Sequence, residues 1–273
     1  MGRGAAGTSG LRTLGHYWEF AVLRNLRVVR AKAQGVAMHA LAQRGLLKSR
    51  ARTSVYGVKL AANYGDKTFR YCLYGTYGTH LSRVLEAQDT PFVFVDIGAN
   101  QGLFSAIAAT NPACEAIIAF EPVPATHALL SENLALNGAN GRATPLMAAL
   151  SDNEGELTIG YQPGHSGVAS LTAQRRDTLD SRLTIRTVTV AALDAVLPPD
   201  LPIIVKIDVE GHEETVIAQL LQSAHADRIE AVFYEADERW SDAAAMRDKL
   251  AAAGFGSFTK LGIRRHYDML AQR

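Results

Sequence analysis

The sequence predicts a doubly wound, mostly parallel α/β sheet with an antiparallel insertion and a helical N-terminal extension. Three observations carry that prediction. From Pro91 onward, short apolar runs alternate with helical stretches, the pattern of parallel strands joined by crossover helices. Polar and acidic residues cluster where those runs end, the side on which open α/β sheets bind ligands. A length of 273 residues with 48% hydrophobic and 20% charged side chains suits one large domain with a substantial core. Two cysteines, Cys72 and Cys114, are too few for a disulfide framework or a cysteine zinc cage. No apolar run approaches the roughly 20 residues of a membrane-spanning helix.

The elements follow in order. Residues 1–53 hold ten Lys and Arg against one acid, Glu19, and Trp18, Val22, Leu26 and Val29 recur at near-helical spacing. They read as a basic helical extension ahead of a domain over residues 54–273. Arginines break every apolar stretch in it, so a secretory signal does not fit. The pattern suits either an anionic membrane surface or a helical arm packed on the body or a partner. Phe92–Ile97 (FVFVDI) predicts a strand buried on both faces, followed by a glycine loop and a helix to about Thr110. Ala116–Phe120 predicts the second strand, and Ala125 onward a helix that Asn137-Gly138 closes. Thr144–Leu150 predicts the third strand. Glu156–Tyr161 and Leu183–Val190 read as the antiparallel insertion, Ile203–Val209 as the fourth strand and Ile229–Glu235 as the fifth. A helix ending near Gly254 precedes a terminal hairpin from Phe255–Leu261 and Tyr267–Leu270.

The loop D-I-G-A-N-Q-G after the first strand narrows the ligand class. A dinucleotide fingerprint needs glycine where Asn100 and Leu103 stand, and the Lys-Thr ending of a phosphate-binding loop is absent. What remains is Asp96 on the strand, Gly98 and Gly102 in the loop, and a second acid, Glu121, ending the next strand. A carboxylate there suits two vicinal ribose hydroxyls, and Asp96 suits the ammonium of an amino-acid moiety. Ribose plus amino acid without pyrophosphate describes S-adenosylmethionine. The bland alternative is an ordinary tight turn between strand and helix.

Six segments in order carry a family resemblance: VDIGANQGLFS (residues 95–105), AFEPVP (119–124), AALSDNEG (148–155), HSGVASL (165–171), TVAALDAVL (189–197) and IVKIDVEGHEETVI (204–217). In these the chain resembles the FkbM-type methyltransferases, a branch of the class I S-adenosylmethionine-dependent enzymes. The resemblance leaves the basic front uncovered. It implies a class I, Rossmann-like sheet of seven strands and methyl transfer from S-adenosyl-L-methionine, commonly to a hydroxyl of a sugar, glycan or related natural product. By position it implies that Asp96, Gly98, Asn100 and Gly102 form the methionine-side loop, that Glu121 takes the ribose, and that Ser151 and Asp152 lie near the adenine. The HSGVASL segment, with His165 and Ser170, would roof the acceptor pocket.

On a strand of period two, Lys206 and Asp208 share a face about 7 Å apart. One reading is a structural ion pair followed by helix-capping polar groups. The functional reading sets Asp208, Glu210 and His212 around the acceptor hydroxyl, one of them taking its proton, with Lys206 and Glu235 on the substrate side. A third reading has Asp208, Glu210 and Glu235 hold a divalent ion, although no metal is assigned. The expected whole is a cytoplasmic O-methyltransferase, peripheral to a membrane at most through residues 1–53, with no nucleic-acid partner. The rivals are a non-catalytic binding protein of the same fold and a nucleic-acid methyltransferase using the basic front as a phosphate grip.

Overall fold

The computed structural model describes residues 37–46, 50–169, 181–239, 241–262 and 265–273. Most of the basic front, including its Trp18 to Val29 stripe, therefore lies outside the described residues, as does Ser170. Of that front, residues 37–43 are helical, while β1 (Ala51–Thr53) pairs antiparallel with β2 (Lys59–Ala61). Among the described residues, no helix is long and apolar enough to cross a membrane.

Seven strands build the central sheet: β3 (Phe92–Ile97), β4 (Cys114–Phe120), β5 (Ala143–Leu146), β9 (Ile203–Ile207), β10 (Ile229–Asp237), β11 (Ser257–Leu261) and β12 (His266–Gln272). Their spatial order is β5-β4-β3-β9-β10-β12-β11. The first five run parallel, and β12 inserts antiparallel between β10 and β11. The chain order reverses direction at β3, whose neighbours are β4 and β9, so the crevice at their carboxyl ends is the switch point where such sheets hold ligands. β3 and β9 have no exposed position because helices cover both faces, which is why these segments read as unbroken apolar runs.

The two faces have separate cores. Phe92, Phe94, Ile117 and Ile204 face α1 (Lys67–Tyr74), α2 (Thr79–Glu86), α3 (Leu103–Thr110) and α4 (Pro124–Leu136). Val93, Val95, Ile118, Ile203, Val205 and Ile207 face α5 (Val190–Asp194), α6 (Glu213–Leu220) and α7 (Ala243–Ala252). Strand period two thus sorts Ile203, Val205 and Ile207 from Ile204 and Lys206, as their spacing predicts.

The insertion is a second sheet of three strands, β6 (Ala149–Leu150), β8 (Ser181–Val188) and β7 (Gly155–Tyr161), in that order. The predicted third strand over Thr144–Leu150 is therefore two strands in two sheets. Met147 and Ala148 form the break, so Leu146 pairs with Phe120 while Leu150 pairs with Val188. The fourth strand also ends earlier than its apolar run, at Ile207. Asp208 still donates its N–H to the Ile97 carbonyl at 3.0 Å, but Glu210 turns into the left-handed region at φ 55°.

Candidate active site

The β3–α3 loop is shaped by two close approaches. Gly98 has φ 75°, and a Cβ there would lie 1.9 Å from the Asp208 carbonyl oxygen, so only glycine lets the ends of β3 and β9 meet. At Gly102, φ 78°, a Cβ would lie 2.5 Å from Leu130 Cδ1 of α4. Between them Asn100 adopts φ 52° and donates its N–H to Glu121 Oε2 at 2.9 Å. Glu121 Oε1 accepts from the Val123 N–H at 2.9 Å. Each oxygen keeps lone-pair capacity, and burial pushes this carboxyl up to about 7, against the opposing pull of the two backbone donors and Lys206. A buried carboxyl that lines a cleft, with no cation bonded to it among the described residues, fits a ligand that brings its own pair of donors.

That cleft is a cavity of about 330 Å³, within the usual range for small-molecule sites. Gly98, Asn100, Glu121, Lys206, Asp208, Glu210 and Glu235 all line it. Ala148, Leu150, Ile159 and Ile185 add an apolar wall, and His165 to Ala169 of the insertion lie across it. His165 meets Tyr71 edge to face, with ring centroids 6.2 Å apart.

Asp96 and Lys206 are direct cross-strand partners in the β3–β9 register. The fully buried Asp96 accepts from Ser105 Oγ at 2.7 Å and lies 3.2 Å from the Lys206 ammonium. Lys206 also donates to the Gly98 carbonyl at 2.5 Å and stands 3.9 Å from Asp208. Burial opposes its charge, but Asp96 and Asp208 reverse that effect and hold Lys206 protonated, above its ordinary value. The ion-pair reading of K-I-D is thus correct. The same pair fixes the glycine loop and one cavity wall, so it is also part of the site.

Asp208 accepts from the Tyr77 hydroxyl at 2.5 Å. Oxygens of Asp208, Glu210 and Glu235 lie within 4.8 Å of one another, which matches the set from which the sequence suggested an ion site. Glu235 also contacts His266 Nε2, and that hydrogen bond raises the imidazole above its ordinary value. Glu213, at the first turn of α6, accepts from the Val209 and Gly211 N–H groups at 3.2 and 3.0 Å, which holds the Asp208–Gly211 turn in place.

The third candidate, His212, is placed elsewhere. Its Nε2 lies 3.1 Å from Ser151 Oγ, which in turn donates to Asp152 at 3.2 Å. Burial lowers this imidazole, so it stays neutral. Asp96, Gly102, Ser151, Asp152 and His212 are not among the residues that line the cavity, whereas Gly98, Asn100, Glu121, His165, Lys206, Asp208, Glu210 and Glu235 are. Tyr77, Gln101 and His266 line it too, and the sequence reading did not single them out. Tyr77 sits between two glycines of positive φ, Gly75 and Gly78, a pattern that marks a turn but not its target. His266 enters only through the register of the terminal hairpin.

Five parallel strands, a reversed β12 and a glycine loop facing an acid on the next strand define a class I, Rossmann-like methyltransferase fold. The chain belongs to the Methyltransferase FkbM domain family, which matches residues 96–256. Among curated proteins it is 36% identical over 100 residues to Methyltransferase sdnD of Sordaria araneosa, a match spanning 37% of this chain and 38% of that protein. It is 33% identical over 134 residues to Hexuronic acid methyltransferase AglP of Haloferax volcanii, spanning 49% of this chain and 52% of that protein. The chain thus spans about half or less of the length of these relatives. Of solved structures, the METTL16 MTase domain matches with TM-score 0.48 and 12% identity, covering 80% of this chain and 74% of that one.

Proposed function

We propose that the chain transfers a methyl group from S-adenosyl-L-methionine to a hydroxyl of a sugar, glycan or related natural product. The observation that carries this reading is one cavity lined both by Glu121 with the glycine loop and by Asp208, Glu210 and Glu235. Family membership and the similarity to a hexuronic acid methyltransferase support it. The bound cofactor would supply an electrophilic methyl. Glu121 would accept from its ribose hydroxyls, and Gly98 and Asn100 would lie along its amino-acid end. Asp96 would act there through Lys206 and the loop, and Ser151 with Asp152 would border the adenine side. His165 to Ala169, the described part of HSGVASL, would roof the acceptor.

Methyl transfer needs alignment of donor and acceptor and removal of one proton. Asp208 and Glu210 line the cavity and would be the groups to accept that proton, while Lys206 and Glu235 would orient the hydroxyl. His212 would act from behind, by fixing Ser151. Convergence of Asp208, Glu210 and Glu235 favours a second use of the same oxygens, as hard ligands for a divalent cation. Loss of activity with chelator, restored by magnesium, would select that use.

Mass spectrometry of extracts from cells with and without the protein tests the main reading. A metabolite or glycan lighter by one methylene in the deficient cells is expected. Methylation restricted to nucleic acid, or no difference alongside no S-adenosylhomocysteine binding, would overturn it. For the basic front, the reading is peripheral attachment to an anionic membrane, each base giving about 1 kcal/mol. Sedimentation with anionic but not neutral vesicles is expected; equal binding to both sinks it.

A further inference from the structure

Asp66 stands outside the family match and outside the cavity lining, yet it is only 5% exposed and accepts four hydrogen bonds, one of them from Ser166 Oγ at 3.2 Å. As the cap of α1 it takes the Phe69 N–H at 3.0 Å. From the glycine loop it takes Gln101 Nε2, also at 3.0 Å, and from the insertion the Ser166 N–H at 2.8 Å. Ser166 Oγ receives the other Gln101 Nε2 proton at 3.1 Å and reaches Asn100 Oδ1 at 2.9 Å, which the Gln101 N–H also approaches at 2.8 Å. The donor protons of Gln101 and Ser166 in this group all have acceptors. Behind it, Asn133 donates to the Gln101 carbonyl at 2.6 Å and accepts from the Ala61 N–H at 2.6 Å. Three segments far apart in the chain therefore meet at Asn100, a non-glycine residue held at positive φ whose N–H holds Glu121.

We propose that Asp66 is a positioning residue for the cofactor site: with Ser166 it locks Asn100 in its left-handed conformation and so fixes the backbone donor that orients Glu121. The inference rests on the cofactor reading above. Asparagine enters the left-handed region more readily than other side chains, and here its Oδ1 contacts with Ser166 and the Gln101 N–H hold it there. A buried network that is fully satisfied is rigid, and removing one member leaves the others unpaired. The insertion thereby contributes to ligand binding through the loop beneath it as well as by covering the cavity.

The test is calorimetry with S-adenosylhomocysteine across pH 6 to 8.5, for wild type, Asp66→Asn, Ser166→Ala and each of these combined with Glu121→Gln. Asparagine keeps the helix cap but presents a donor where Asp66 accepts. The groups acting on Glu121 are Lys206, which lowers it, Asp96, which raises it, and the two backbone donors. Loss of the Asn100 donor therefore moves the pH midpoint of binding upward. We expect about tenfold weaker binding at neutral pH in Asp66→Asn and Ser166→Ala, an upward midpoint, and no further loss in the Glu121→Gln background. Wild-type affinity in both single variants would overturn the proposal. So would an equal loss with and without Glu121 at an unmoved midpoint, which marks general damage to the fold. Ser166→Ala leaves α1 capped and serves alone if Asp66→Asn does not fold. Absence of binding by the wild type overturns the cofactor reading, and this inference with it. Tight wild-type binding with indifferent variants overturns only this inference.

Discussion

In the proposed cofactor site, burial of Glu121 makes ligand affinity depend on pH. Burial raises its carboxyl to about 7, while the two ribose donors assigned to it favour the ionised form. S-adenosylhomocysteine should therefore bind about tenfold more weakly one pH unit below that midpoint than well above it. The dependence should vanish in Glu121→Gln. Glu121→Ala should lose up to about 1.5–3 kcal/mol for each charge-assisted bond removed. Calorimetry over pH 6 to 8.5 reads both, and a flat wild-type profile would show that this carboxyl does not meet the ligand. At the acceptor end, Asp208→Asn should lower turnover by about 10²–10⁴ with S-adenosylhomocysteine affinity nearly intact. His212→Ala should cost less, because its imidazole faces Ser151 instead of the cavity. A larger loss for His212→Ala in single-turnover measurements would reverse that order of roles.

At the scale of elements, the site depends on how closely the ends of β3 and β9 approach. Gly98→Ala combines a strained φ of 75° with a Cβ 1.9 Å from the carbonyl oxygen of Asp208, just past the end of β9. Gly138→Ala is a matched control, with φ 73° but nothing within 4 Å of the added carbon. The control should lose only the left-handed penalty of about 1–2 kcal/mol in urea unfolding. Gly98→Ala should lose more and bind no S-adenosylhomocysteine, since the β9 end must move. Equal losses in the two variants would show that the strand ends tolerate separation. The same elements mark the limits of pattern reading. Apolar continuity correctly places β3, β4, β9 and β10, but it extends β9 past Ile207, because Val209 looks like strand and the turn at Glu210 is imposed by Glu213 from the next helix. It also merges β5 and β6, since nothing local tells Leu146 and Leu150 that they pair with different sheets.

For the whole molecule, burial of acids sets the pH response of stability. Glu121, Glu213 and Asp268 are each raised to about 7, from ordinary values of 4.5, 4.5 and 3.8. Between those values the folded state binds more protons than the unfolded one, so stability falls as pH rises, by about 1.4 kcal/mol per unit of difference for each group at most. His212, lowered by burial, acts in the opposite sense below its ordinary 6.5. The ligand-free protein should thus be more stable to urea at pH 5.5 than at pH 8. A midpoint that rises with pH would mean these carboxyls ionise freely in the folded state.

The sequence by itself determined the sheet, the glycine loop and the acids at its strand ends. Those features rest on periodicity and on glycines whose conformations no other residue adopts cheaply, and both are local properties of the chain. Motif order likewise singled out Gly98, Asn100 and Glu121, which line one cavity. Only the tertiary structure decided which polar groups share the cavity. It turned His212 toward Ser151, brought Tyr77 to Asp208 and His266 to Glu235, and joined Asp66, Gln101 and Ser166 beneath the insertion. These contacts span between 31 and 131 residues of chain. They are fixed by strand register and by the need of buried donors and acceptors to find one another, neither of which has a local signature.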